Sequence, residues 1–226
     1  MAKGVFITGT DTGIGKTRFT LALMEGLKKQ GKIVSGMKPV ACGARRDGGV
    51  LLNEDAEIIM RHASRPHNYE DINPIVFEPP IAPHIAANMD KEDIDIDKIV
   101  AAYRRLESDS DLVVVEGVGG WRVPLSDLAS IVDMVRALDL SVIMVVGLRL
   151  GCINHAILTA EAIQSDGMNL MAWVSNQVEK DYLNRKETIG ALNKRLSCPH
   201  IADIAYLNDF DPDKLHENID ISCFEF

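Results

Sequence analysis

The sequence predicts one α/β domain built on a mostly parallel sheet with helices on both faces. Short β-branched runs alternate with segments of helical periodicity, the pattern of repeated strand–helix units. The central runs, such as Leu112-Val113-Val114-Val115 and Val142 to Val146, are continuously apolar, as strands covered on both faces are. With 226 residues, 46% of them apolar, the chain can bury a self-sufficient core, and no linker, repeat or composition break divides it. Residues 1–226 are therefore expected to form a single domain.

Val5 to Thr8 reads as the first buried strand. A glycine-bearing loop follows, then a helix from Lys16 to Gln30 with Phe19, Leu23 and Leu27 four residues apart on one face. Ile33 to Met37 is the second strand, and Asn53 to His62 and Ile96 to Leu106 are helices. Strand Leu112 to Val115, helix Leu128 to Leu138, strand Val142 to Val146 and helix Asn154 to Ser165 come next. Strand Leu170 to Val174 and helix Arg185 to Leu196 complete the series. Pro66 to Ile94, with Pro74, Pro79, Pro80 and Pro83, is expected to wrap the surface irregularly beside the sheet, and a loop that long is more often functional than idle. The acidic stretch Asp90 to Asp97 reads as the solvated start of a helix.

Between the first strand and first helix lies Thr8-Gly9-Thr10-Asp11-Thr12-Gly13-Ile14-Gly15-Lys16-Thr17. That is the context a phosphate-binding loop requires. Glycines let main-chain N–H groups turn onto phosphate oxygens, and the helix N-terminus adds its dipole. Lys16 would reach the β- and γ-phosphates and the Thr17 hydroxyl would ligate Mg²⁺. Five residues separate Gly9 from Gly15 where the common pattern has four, and Thr10 fills the usual first glycine position. An ordinary glycine turn capping a helix is the plainer reading, but Gly15-Lys16-Thr17 between strand and helix opposes it. The apolar run ending in Glu116 supplies the carboxylate that such a site needs for its metal. Gly117, Val118 and Gly119 follow, where backbone can approach a ligand closely. Asp55 is a second carboxylate candidate, although alone it would merely complement a helix dipole. These features specify the architecture further, as a three-layer sandwich of the P-loop NTPase type.

A net charge of −9 argues against a nucleic-acid backbone binder. It leaves a single nucleotide site open, since one or two cations suffice there. The four cysteines, Cys42, Cys152, Cys198 and Cys223, have no metal or redox spacing and read as free thiols of a reducing compartment. The N-terminal residues lack the apolar stretch of a signal peptide, and Val142 to Val146 is far too short to span a bilayer. A soluble cytoplasmic protein with no membrane partner is the expectation.

Three segments, Gly9 to Thr17, Met37-Lys38-Pro39-Val40-Ala41-Cys42-Gly43 and Val115-Glu116-Gly117-Val118-Gly119-Gly120, resemble the dethiobiotin synthetases in order and spacing. Leu150 to Ala156 and Trp173-Val174-Ser175-Asn176 are similar to further segments of that family, and the likeness runs from Val5 to about Leu207. The resemblance implies ATP-dependent carboxylation of 7,8-diaminononanoate with CO₂ or bicarbonate, closing a cyclic urea to give dethiobiotin, ADP and phosphate. It implies that Thr17, Asp55 and Glu116 hold Mg²⁺ and that Thr12, Gly13, Ile14, Gly15, Lys16 and Thr17 cradle the triphosphate. Gly117, Val118 and Gly119 join the nucleotide site, Asn176 reads adenine, and Ala205, Tyr206 and Leu207 line the adenine pocket. Lys16 and Lys38 are implied as the catalytic cations. Lys38 taken alone would read as a solvated lysine before Pro39. Thr12, Lys38 and Cys42 are implied to touch the substrate, with Gly151, Cys152 and Asn154 contributed by a neighbouring subunit of a homodimer. Cys152 by itself reads as a buried apolar thiol.

Departures from the family pattern are Cys42 in place of a hydroxyl residue, Gly13 in place of an acid, and Thr188 where some relatives carry a tyrosine. A partition- or nitrogenase-type ATPase switch is the main alternative, but it carries a signature lysine five residues before the loop lysine, where this chain has Asp11. A cobyrinate-diamide-type synthetase needs an additional glutaminase domain, for which 226 residues leave no room. A scaffold without chemistry would not be expected to hold Lys38 and Glu116 together.

Overall fold

The computed structural model describes residues 4–206, 211–222 and 224. Ten strands and nine helices appear among them. The chain runs β1 (Gly4–Gly9), α1 (Lys16–Lys29), β2 (Val34–Met37), β3 (Val40–Cys42), β4 (Arg45–Asp47), β5 (Val50–Leu52) and α2 (Glu54–His62). It continues through α3 (Tyr69–Ile72), β6 (Ile75–Phe77), α4 (Pro83–Asp90), α5 (Ile96–Ser108), β7 (Leu112–Glu116) and α6 (Ile131–Leu138). β8 (Ser141–Leu148), α7 (Cys152–Ser165), β9 (Leu170–Gln177), α8 (Arg185–Asn193), β10 (His200–Ile204) and α9 (Pro212–Leu215) close it.

Six strands form one all-parallel sheet in the order β10-β9-β8-β1-β7-β2. Phe6, Ile7, Val113 to Val115 and Val142 to Val146 are fully buried, which accounts for their unbroken apolar run: helices cover both faces of the sheet. Strand β1 sits between β7 and β8, so the chain changes direction across the sheet there, and the crevice at its C-terminal end is where an open α/β sheet binds ligands. Register completes the arrangement, with Ile7 opposite Glu116 and Met37 opposite Val115. Lys38 and Glu116 consequently leave adjacent strands side by side, next to the start of the phosphate loop.

Several elements differ from expectation. The proline-rich stretch is not simply irregular: it contains α3, β6 and α4, and β6 pairs in parallel with β3. Lone three-residue strands carry too little periodicity to be read from sequence. Helix α6 starts at Ile131 rather than Leu128, because Ser130 and Asp133 form a capping box and Leu128 stays 97% exposed. Helix α7 starts earlier than Asn154, with left-handed Gly151 as its N-cap. Strand β9 runs on to Gln177, so Asn176 lies within it rather than after it. Strand β10 and the β4–β5 hairpin were not anticipated. None of the described helices is long and apolar enough to cross a membrane.

Ile143 is fully buried on β8, one of the two central strands of the sheet. Ile143→Ala is expected to cost about 2–5 kcal/mol. Urea unfolding should show this as a lower midpoint at unchanged slope.

Candidate active site

Lys16 and Thr17 open α1, whose N-cap is Gly15 in the left-handed region at φ 87°. Only glycine fits there comfortably, and a Cβ would also run into the Asn176 side-chain amide. The Thr10 N–H is already given to Val145 O of β8 at 3.1 Å, so the residue at the unusual loop position serves to tie the loop to the sheet. The Lys16 ammonium donates to Asp11 O at 3.0 Å. Burial, then the nearby Lys38 charge, pulls its pKa down to about 8.

Opposite stands a compact charged cluster. Lys38 Nζ lies 2.6 Å from Glu116 Oε1 and 3.3 Å from Asp55 Oδ2, and it donates to Gly117 O at 3.2 Å. Both Lys38 and Glu116 are almost fully buried. Burial works against the Lys38 ammonium, but Glu116 and then Asp55 outweigh it and hold its pKa above the ordinary lysine value. The Thr17 hydroxyl is 2.9 Å from Glu116 Oε1 and 3.0 Å from Asp55 Oδ1. It has a single proton, so it can donate to only one of them at a time.

The segment read as irregular has a part in this. The Lys38 main chain gives its N–H to Ile72 O at 2.8 Å and takes the Asn73 side-chain amide on its carbonyl at 2.7 Å. Tyr69 hydroxyl donates to Asn73 Oδ1 at 3.0 Å and accepts the Asn53 N–H at 2.7 Å. Asn53 in turn caps α2 through Ala56 N, which places Asp55 in the first helical turn. One network of amides and a phenol thus positions Lys38 and Asp55 together.

Thr12, Gly13, Gly15, Lys16, Thr17, Lys38, Cys42, Asp55, Glu116, Val118 and Gly119 line a single cavity of about 450 Å³. Gly117 does not line it; it is buried, and its carbonyl accepts from the Lys38 ammonium. The Ile14 side chain is buried in the core instead, and its carbonyl accepts from Asn176 Nδ2 at 2.6 Å. Asn176 and Tyr206 line a second cavity of about 330 Å³ that shares Gly13, Gly15 and Arg18 with the first. Asn176 Oδ1 is buried with no hydrogen-bond partner among the described residues, an acceptor in want of a donor. Ala205 is exposed beside Tyr206, and Leu207 lies outside the described residues. Gly151, Cys152 and Asn154 line neither cavity; they start α7, where Cys152 is buried and the other two are exposed.

A hard cation suits the cluster. Thr17, Asp55 and Glu116 present one hydroxyl and two carboxylates, all oxygen ligands, and Glu116 Oε2 is buried with no hydrogen-bond partner among the described residues. Among the described residues no group of three His, Cys, Asp or Glu side chains gathers, so phosphate oxygens and water would have to complete such a site.

Besides Arg18 and Asn53, which line the larger cavity, and the Tyr69–Asn73 network, sequence reasoning missed three side chains that line neither cavity. Arg149 pairs with Asp11 across the phosphate loop. Trp121 packs edge-on against Phe6 at 6.5 Å and donates to Asp166 Oδ2 at 2.7 Å, anchoring the glycines after Glu116. The Tyr182 hydroxyl lies 2.9 Å from Thr188 Oγ1 and 3.9 Å from Cys152 Sγ, so a tyrosine reaches the Thr188 position from a preceding loop. No local motif marks them: Arg149 and Trp121 act through partners 138 and 45 residues away, and Tyr182 meets Thr188, six residues on, only through the path of its loop.

A protein-family model described as an AAA domain matches residues 3–214. The ATP-dependent dethiobiotin synthetase of Nitrosospira multiformis is 44% identical over 98% of this chain and 96% of its own length. That of Aromatoleum aromaticum is 42% identical over 92% of both chains. Among solved structures, the MinC:MinD cell division protein complex of Aquifex aeolicus superposes with a TM-score of 0.55 at 15% identity, covering 94% of this chain and 86% of the matched one. A ParA family ATPase from Chlorobium tepidum gives 0.52 at 14% identity over 92% and 87%. These structural likenesses carry the P-loop fold alone. Identity above 40% across nearly the whole chain carries more: the chain belongs to the ATP-dependent dethiobiotin synthetase family.

Proposed function

We propose that this single-domain protein carboxylates 7,8-diaminononanoate and closes a cyclic urea, converting ATP to ADP and phosphate. The observation that carries this reading is the second buried ammonium, Lys38, sharing one cavity with the loop lysine Lys16 and with paired carboxylates. Two lysines against Asp55 and Glu116 leave that group of four formally neutral, so an incoming polyanion meets no net repulsion from them.

In this reading one amine takes up CO₂ as a carbamate. A carbamate oxygen attacks the γ-phosphorus, the bond to ADP breaks, and the second amine displaces phosphate from the carbon as the ring closes and its proton leaves. Such phosphoryl transfer relies on positioning and charge rather than a nucleophilic side chain. Lys16 would hold the phosphates and Lys38 would hold the carbamate and the charge that develops between the two anions. Thr17, Asp55 and Glu116 would hold Mg²⁺, whose charge would offset that of the phosphates. Thr12 to Thr17 with Gly117, Val118 and Gly119 would enclose the triphosphate. Asn176 Oδ1, without a partner among the described residues, is suited to accept from the exocyclic amine of adenine, with Tyr206 lining the same cavity and Ala205 next to it in the chain. Thr12 and Cys42 would line the diamine end. Gly151, Cys152 and Asn154 would complete the diamine site of a second copy, making the protein a homodimer. The free thiols Cys42, Cys152 and Cys198 suit a cytoplasmic enzyme.

The switch-type alternative gains nothing from the site. Asp11 stands where such ATPases carry a lysine, and its carboxylate is engaged by Arg149.

ADP release should require both the diamine and bicarbonate, measured with a coupled assay; ATP hydrolysis indifferent to the diamine would overturn the reading. Lys38→Gln should lower kcat about 100-fold or more while the Kd for ATP stays within about threefold. Loss of nucleotide binding with normal residual turnover would contradict the role given to Lys38. Burial pushes the Cys42 thiol up to about 11, only partly offset by Lys38, so the reactive thiolate is scarce at neutral pH and rises toward pH 11. Alkylation of Cys42 at pH 8, followed by mass spectrometry, should be more than about a hundredfold slower than for an unhindered cysteine. Cys42→Ser should lower the KM for the diamine, because a hydroxyl hydrogen-bonds more strongly than a thiol.

A further inference from the structure

Asp11 is the one acidic residue in the phosphate loop Gly9 to Thr17. Its carboxylate accepts the Thr12 N–H at 2.7 Å and the guanidinium of Arg149, which arrives from the turn between β8 and α7. Its main-chain oxygen holds the Lys16 ammonium at 3.0 Å. Asp11 therefore touches both the loop's cation and Thr12, which lines the larger cavity. A carboxylate in that place opposes a triphosphate, and with its side chain 46% exposed and that of Arg149 36% exposed, water screens the repulsion only in part. Protonation offers no relief near neutrality, since the Thr12 N–H and then Arg149 outweigh partial burial and keep the carboxyl below the usual aspartate range. Lys16 also interacts coulombically with Asp11, as does His155, which is exposed in the first turns of α7.

We propose that Arg149 is a positioning residue for triphosphate binding that acts through Asp11: its guanidinium cancels the loop's single negative charge and keeps the loop receptive to a polyanion. This deepens the nucleotide part of the proposed function and does not depend on which second substrate is used. Tethering alone predicts a different outcome from charge cancellation. A lost tether harms all nucleotides alike and persists when Asp11 is neutralised, whereas a lost countercharge harms the most anionic ligand most and is repaired by removing the carboxylate.

Calorimetric titration of the full chain with ATP, ADP and AMP separates the two. Arg149→Met should raise the Kd for ATP about tenfold, that for ADP less, and that for AMP hardly at all, while Arg149→Lys keeps most of the affinity. The Asp11→Asn/Arg149→Met double variant should return the ATP affinity to within about threefold of the parent. Equal weakening for all three nucleotides, or no recovery in the double variant, would overturn the proposal. Should Arg149→Met fail to fold in a thermal melt, Asp11→Asn alone decides, tighter ATP binding supporting the proposal and weaker binding overturning it. Diamine-dependent ADP formation by the parent protein is measured alongside; its absence would count against the cyclisation reading and leave the binding comparison intact.

Discussion

The buried ion pair between Lys38 and Glu116, 2.6 Å long and almost wholly out of water, is the constraint around which the site is organised. Two charges removed from solvent cost several kcal/mol each unless their geometry is good and their remaining hydrogen-bonding capacity is met. The protein meets most of that demand with Asp55, Gly117 O and the Thr17 hydroxyl, while Glu116 Oε2 is left over. An unsatisfied carboxylate oxygen at the bottom of a cavity has no structural justification of its own. The proposed function gives it a use as one ligand of Mg²⁺.

That pair could not form without the parallel register beneath it. Lys38 leaves β2 and Glu116 ends β7, and their neighbours Met37 and Val115 face each other across the ladder. A slip of one residue would turn Glu116 to the other face of the sheet. Because these strands are apolar on both faces, alternation alone does not penalise such a slip; close packing of differently shaped side chains against the covering helices does. The clamp from Ile72 and Asn73 onto the Lys38 main chain adds a second constraint from outside the sheet.

The acidic balance of the chain takes on a different meaning at this site. A net charge of −9 suits a protein that avoids polyanionic polymers, yet the cavity gathers Lys16 and Lys38 beside Asp55 and Glu116. Local pairing rather than overall charge decides what can bind. The same logic applies in the loop, where Asp11 is tolerated next to a phosphate site with Arg149 at its side.

The parallel α/β class is legible in the sequence alone, as are the strand–loop–helix that sets Gly15-Lys16-Thr17 at a helix start and Glu116 at the end of an apolar strand. Each of these is written in contiguous residues whose periodicity or spacing has a local cause. Lys38 was legible only through family resemblance, since a lysine before a proline carries no local signature. Only the tertiary structure decided that Tyr69, Asn53 and Asn73 position Lys38 and Asp55, and that α3 and β6 build that network from a stretch whose prolines suggested irregular chain. It alone brought Arg149 to Asp11, Trp121 to Asp166 and Tyr182 to Thr188. Contacts of this kind depend on how the chain crosses the sheet, and the energy that selects them lies in packing and partner satisfaction rather than in local propensity.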